Sequence, residues 1–110
     1  MNISTTTIDA VTVVRLQGNL DTSTAPHAQT SLNELVDGGA SKILVNLGEV
    51  DFVSSAGLRI LLATAKKLRG SNGELRVSNL NETVNEVFEI SGFSTILSVF
   101  PTEAEALTGF

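Results

Sequence analysis

The sequence contains no cysteine, and this absence excludes three kinds of chemistry. The chain can form no disulfide framework, no thiolate metal site and no cysteine nucleophile, and it fits a reducing compartment. No apolar stretch approaches the roughly 20 residues that span a bilayer, and the segment after Met1 lacks the pattern of a secretory signal. We therefore expect a cytoplasmic protein without a membrane partner.

Basic residues are also scarce, with seven Lys and Arg against twelve Asp and Glu and a formal net charge of -5. Because phosphate backbones attract positive charge, this balance argues against nucleic acid as a direct partner. The nucleotide-binding patterns G-x-x-x-x-G-K-[ST] and G-x-G-x-x-G are both absent, so the chain itself is not expected to be a kinase. We expect no cofactor.

The only histidine is His27, which follows Pro26 in the first turn of a predicted helix. A single histidine without clustered partners predicts no metal site. The stretch "VSSAG" lacks the first glycine of the G-x-S-x-G nucleophile motif, and His27 precedes the serines, contrary to the order of triad residues in α/β-hydrolases. A small serine hydrolase that uses Ser55 is therefore only a remote alternative, and we expect no enzyme.

Strand and helix patterns alternate along the 110 residues, of which 42% are hydrophobic, and they predict one domain over residues 1–110. Residues rich in β-branched side chains predict a pair of strands in "NISTTTI" and "AVTVVRLQG". The segment "KILVNL" predicts a buried central strand, and "ELRVSNL" and "STILSVF" predict two more. Helical spacing predicts four helices, which begin near Pro26, Ser55, Asn81 and Thr102. The alternation predicts an α/β fold with a mixed sheet.

The stretch "VDFVSSAGLRILL", residues 50–62, joins the central strand to the second helix through small residues. In open α/β sheets this edge is the usual functional face, because helix N-termini there present free N–H groups. One of the two serines can simply cap the helix, which contributes about 1 kcal/mol. Alternatively, a hydroxyl there is a phosphorylation site, since Ala56 and Gly57 leave the approach open and the helix end is positive.

Three other residues are predicted to contact a partner. Arg59 lies on the basic second helix, and Ile60 lies nearly opposite the leucine stripe of that helix. This position predicts that Ile60 faces solvent. The loop of residues 19–24 is expected beside Ser55, with Asp21 either in the docking surface or in a turn.

Three motifs together resemble a known family. In order and spacing, "GNLDTSTAP", "DFVSSAGLRILL" and "VFEISGF" are similar to the bacterial anti-sigma factor antagonists, which are single-domain members of the STAS fold (sulfate transporter and anti-sigma antagonist). The resemblance covers essentially the whole chain and implies a mixed sheet whose crossover helices pack on one side. Aligned through Gly57 and Leu58, it implies that Ser55 is the phosphorylation acceptor. Ser54 stands where the family often has Asp, and it is a substitute acceptor.

The resemblance also implies a function. The unphosphorylated form is expected to bind an anti-sigma factor that is also a serine kinase, and so to release a sigma factor or other client. Phosphorylation ends the interaction until a PP2C-type phosphatase restores it. The expected partner-binding residues are Asp21, Thr22, Ser54, Ser55, Ala56, Gly57, Arg59 and Ile60. A non-switching scaffold subunit of a signalling or lipid-transport complex is the alternative.

Overall fold

Five strands form one mixed sheet in the order β1-β2-β3-β4-β5 in a computed structural model that describes residues 1–110. The strands are β1 (Asn2–Ile8), β2 (Val11–Gln17), β3 (Lys42–Glu49), β4 (Glu74–Ser78) and β5 (Ser98–Phe100). The helices are α1 (Ala25–Asp37), α2 (Ser55–Arg69), α3 (Glu82–Ile90) and α4 (Glu103–Leu107). This order and these elements confirm the predicted α/β architecture.

Strand direction follows from the connections. A two-residue turn joins β1 to β2, which pair antiparallel as the sequence predicts. The strands β2 to β5 are all parallel, and α1, α2 and α3 connect them in turn. Parallel neighbours require such crossovers, and crossovers of one hand between successive strands place their helices on one face of the sheet.

The sheet is covered on both faces, but unequally. The large core lies between one face and the three crossover helices, where Val14 and Val45 of the sheet meet Leu32, Leu61 and Phe88 of the helices. The other face carries a smaller cluster under α4, built from Val11, Val13, Leu44 and Ala106. The crossover helices therefore pack on one side as predicted, and only the short α4 covers the opposite face.

The predicted last strand, "STILSVF", is shorter than the sequence indicates. A 3-10 turn occupies Phe93–Thr95, and only Ser98–Phe100 pairs with β4. Gly92 adopts a φ of 78°, in the left-handed region that favours glycine, and so turns the chain back after α3. Residues 93–97 are then needed to bring the chain to the sheet edge, which leaves only three residues for β5.

The prediction that Ile60 faces solvent is wrong. The side chain is buried, with a relative exposure of 7%, and it belongs to the large core. The leucine stripe of α2 faces the sheet, but α1 packs beside α2 on the same face and covers the flank that carries Ile60 and Thr64. The helical pattern of α2 indicates the side that faces the sheet but not the side that faces α1. The pattern therefore assigns the side with Ile60 to solvent.

Candidate functional site

Two strand-to-helix loops meet at the carboxyl edge of the sheet. Leu20, in the loop after β2, pairs with Val53, in the loop after β3, as an isolated parallel bridge. The Leu20 N–H donates to the Phe52 carbonyl, and the Ser54 N–H donates to the Leu20 carbonyl, both at 2.9 Å. The loop of residues 19–24 therefore lies beside the start of α2, as the sequence predicts.

Gly57 permits this close approach of loop and helix. A Cβ atom at this position would lie 2.7 Å from both the Cγ and the carbonyl oxygen of Leu20, closer than real Cβ contacts. Gly57 is also buried. It therefore lies beneath the surface and sets the position of the loop, whereas the sequence suggested that it keeps the surface open.

The two serines have different environments. Ser54 is the N-cap of α2, and its partly buried Oγ accepts a hydrogen bond from the Gly57 N–H at 3.3 Å. Ser55 is the first helical residue and is exposed, and its hydroxyl has no hydrogen-bond partner. The N–H groups of Ser55 and Ala56 also lack an acceptor, as expected in a first helical turn. An external group can therefore reach the Ser55 hydroxyl beside unpaired donors.

Asp21 organises the neighbouring loop. Its carboxylate accepts hydrogen bonds from the Ser23 hydroxyl at 2.7 Å, the Ser23 N–H at 2.9 Å and the Thr24 N–H at 3.1 Å. The bond from the Ser23 hydroxyl, followed by the bond from the Thr24 N–H, lowers the pKa of Asp21 below its ordinary value of 3.8. These contacts support the turn role of Asp21, while the adjacent Thr22 is exposed.

Asn81 supports the same site from the other side, and the sequence did not reveal this role. It is the N-cap of α3, where its Oδ1 accepts from the Val84 N–H at 2.7 Å. Its Nδ2 donates to the carbonyls of Val50 at 3.2 Å and Asp51 at 3.5 Å. The loop before the serines is thus held by Leu20 on the β2 side and by Asn81 on the β4 side. In the sequence, an Asn three residues before an apolar helical position predicts a helix cap. It does not predict which loop the side-chain amide contacts.

An exposed aromatic side chain lies close to the serines. Phe52, between the buried Val50 and Val53, is 45% exposed. A shallow groove of about 340 Å³ also runs between α1 and α2, with Thr22 and Arg59 among its lining residues. The accessible apolar group of this edge is therefore Phe52, whereas Ile60 is buried in the large core and only borders the groove.

None of the helices is both long and apolar enough to cross a membrane. The structure also contains no group of three or more His, Asp or Glu side chains arranged to hold a metal ion.

Comparison with known proteins identifies the family. The family model for the STAS domain matches residues 2–106. The chain belongs to the STAS domain family. This STAS domain is 42% identical over 101 residues to a putative anti-sigma factor antagonist, BtrV, of Bordetella bronchiseptica, with 92% of the chain and 84% of that protein covered. It is 32% identical over 99 residues to the anti-sigma-B factor antagonist of Staphylococcus aureus, with 90% and 92% covered.

Solved structures agree with this assignment. An anti-sigma factor antagonist from Mycobacterium paratuberculosis superimposes with a TM-score of 0.90 at 28% identity, covering 97% of this chain and 91% of that one. The unphosphorylated form of the anti-sigma factor antagonist SpoIIAA gives 0.81 at 25% identity, with 96% and 93% covered. The phosphorylated form of SpoIIAA, from Bacillus, gives 0.73 at 24% identity, with 96% of both chains covered. These relatives place the STAS domain among binding proteins rather than enzymes, which confirms the prediction against a hydrolase.

Proposed function

We propose that this STAS domain is an anti-sigma factor antagonist whose binding is switched by phosphorylation of Ser55. The observation that carries the proposal is that the two serines differ in their contacts. Ser54 caps α2, whereas the hydroxyl of Ser55 is exposed and makes no hydrogen bond. The names of the relatives in Bordetella and Staphylococcus, and the two forms of SpoIIAA, support it. Such a protein acts in the cytoplasm, on the regulators of transcription.

The proposed partner is an anti-sigma factor that is also a serine kinase. In the transfer step, the Ser55 oxygen forms a bond to the γ-phosphorus of ATP on the kinase, and the bond from that phosphorus to ADP breaks. The hydroxyl proton passes to a base of the kinase. A PP2C-type phosphatase reverses the modification by hydrolysing the phosphate ester with water.

The switch has a simple electrostatic basis. A phosphoserine carries a charge of about -1.5 to -2 and three strong acceptor oxygens. The partner surface that fits the neutral hydroxyl would surround Ser55, Phe52 and the exposed Thr22. Placing a phosphate in that surface adds a desolvation cost and, against any acidic group of the partner, repulsion. Phosphorylation therefore ends the complex without requiring a change of fold.

Mass spectrometry of the protein isolated from its own cells, with phosphatase inhibitors present, tests the acceptor assignment. We expect a phosphopeptide whose fragments place the phosphate on Ser55, and its loss in Ser55→Ala. Ser54→Asp is the matched control, because Asp is as good an N-cap as Ser and keeps the helix start intact. Phosphate on Ser54 in the wild type would reverse the assignment, and an unmodified protein that still captures its partner would support the non-switching scaffold.

A further inference from the structure

Arg59 is placed to meet a phosphate on Ser55. Its Nε donates to the Ser55 carbonyl at 3.4 Å, which holds the side chain along the first turn of α2. Its two terminal nitrogens have no hydrogen bond, and no carboxylate lies within ion-pair distance. The other two arginines with side-chain hydrogen bonds are both committed to carboxylates, Arg15 to Glu103 and Arg76 to Glu74.

The helix geometry directs this free cation toward the hydroxyl. Residues four apart on a helix have Cβ atoms about 5–6 Å apart, and side chains lean toward the helix N-terminus. Arg59 therefore extends back over Ser55 rather than away from it. A guanidinium group offers parallel N–H donors that match two phosphate oxygens, a geometry that the compact lysine ammonium lacks.

We infer that Arg59 is the intramolecular counter-ion of a phosphate on Ser55. The inference deepens the proposed function and rests on it for its biological meaning. In the unphosphorylated form, the terminal nitrogens of Arg59 are free for the partner, and Arg59 lines the groove between α1 and α2 together with Thr22. In the phosphorylated form they bind the phosphate. Modification of one residue thus removes two features of the docking surface, the neutral hydroxyl and the available arginine.

Phosphorus-31 NMR on the full chain, with phosphoserine incorporated at position 55 during synthesis, tests the ion pair without any kinase. A neighbouring cation favours the dianion, so the second pKa of the phosphate should be lower in wild type than in Arg59→Gln. For an exposed pair we expect a difference of about 0.2–0.7 pH units, which shrinks at high salt. Arg59→Lys should fall between the two.

Lys66→Gln is the matched control, because Lys66 is an exposed, unpaired cation on the same helix. It lies 11 residues beyond Ser55, about 16 Å along the axis and beyond the Debye length of about 8–10 Å, so its loss should leave the pKa unchanged. The other titratable groups nearby are common to all variants, so their effects on the phosphate pKa cancel in the differences. They are Asp21 and Asp51 of the surrounding loops and His27, Glu34 and Asp37 of α1.

Equal phosphate pKa values in wild type and Arg59→Gln would overturn the inference, as would an equal shift in Lys66→Gln. The outcome is separate from that of the proposed function. A protein that is never phosphorylated on Ser55 in its own cells contradicts the function, whereas the NMR titration alone decides the ion pair. Thermal melts of each variant confirm that the fold is retained.

Discussion

At the scale of single residues, the site depends on which side chains the neighbouring elements leave exposed. Ile60 and Phe52 are both large and apolar, yet the first is buried and the second is 45% exposed. The sequence alone assigns Ile60 to the surface, because its helical angle is measured against the leucine stripe of α2 and the position of α1 is unknown. The junction that carries Ser54 and Ser55 was predictable, but their separate roles required the backbone geometry of the helix start.

Truncation to alanine should have opposite effects at these two apolar residues. Ile60→Ala should lower the free energy of unfolding by about 2–5 kcal/mol, because it leaves a cavity between α1 and α2. Phe52→Ala should cost less than about 1 kcal/mol but weaken partner binding about tenfold or more. Urea denaturation and calorimetric titration with the partner measure the two effects. An Ile60→Ala protein as stable as wild type would contradict the burial of Ile60 in the core. Unchanged partner binding by Phe52→Ala would show that Phe52 is not part of the docking surface.

The charge of Asp21 should make a pH-dependent contribution to the stability of the fold. Because its hydrogen bonds hold its pKa in the folded protein below 3.8, its ionised form contributes stability above that pH, and the contribution is lost as the pH falls through the folded value. Asp21→Asn removes the charge at every pH. The gap in stability between wild type and this variant should therefore be present near neutral pH and close under strongly acidic conditions.

Urea denaturation midpoints across the acid range measure this gap, and the other carboxylates cancel because both proteins carry them. If the difference in stability between wild type and Asp21→Asn stays constant down to the lowest pH, the charge of Asp21 does not contribute to stability.

At the scale of elements, most strands and helices follow from their patterns, and the exceptions occur where tertiary contacts override local preference. The segment "STILSVF" is rich in β-branched residues, but Gly92 and the return path from α3 allow only the three residues of β5. Asn81 is likewise recognisable as a helix cap, while its second role depends on strand order. Because β4 follows β3 in the sheet, the start of α3 comes beside the loop that carries the serines.

Two substitutions of Asn81 should separate its role as a helix cap from its role as a support of the loop. Asn81→Asp keeps the oxygen that accepts from Val84 but loses the amide that donates to Val50. Asn81→Ala loses both. Hydrogen exchange of the Val84 amide should therefore accelerate only in the alanine variant, while exchange of the Ser54 amide in the supported loop should accelerate in both. Unchanged Ser54 exchange in both variants would show that Leu20 alone holds the loop.

At the scale of the whole molecule, the sheet separates structural from functional surfaces. The buried face and its crossover helices form the large core. The short α4 covers the other face through Ala106 and through Glu103, whose two carboxylate oxygens accept from one terminal nitrogen of Arg15. What remains accessible at the carboxyl edge is the junction of two loops with α2. The alternation of patterns predicts this edge as the functional one, since parallel strands present their carboxyl ends together. Which sides of the helices at this edge are exposed or buried is decided by tertiary packing, which the sequence pattern of a single helix does not show.

In the proposed switch, a phosphate on Ser55 turns off partner binding. The most direct test is to identify the serine kinase that the unphosphorylated protein captures from its own cells, and to measure its Kd by calorimetry for the two forms of the full chain. Because burying a phosphate against a surface that fits a neutral hydroxyl costs about 2 kcal/mol or more, we predict that phosphoserine at position 55 weakens the complex about thirtyfold or more, while Ser55→Ala binds like wild type. Equal affinity of the kinase for the phosphorylated and unphosphorylated forms would show that phosphorylation of Ser55 is not the switch.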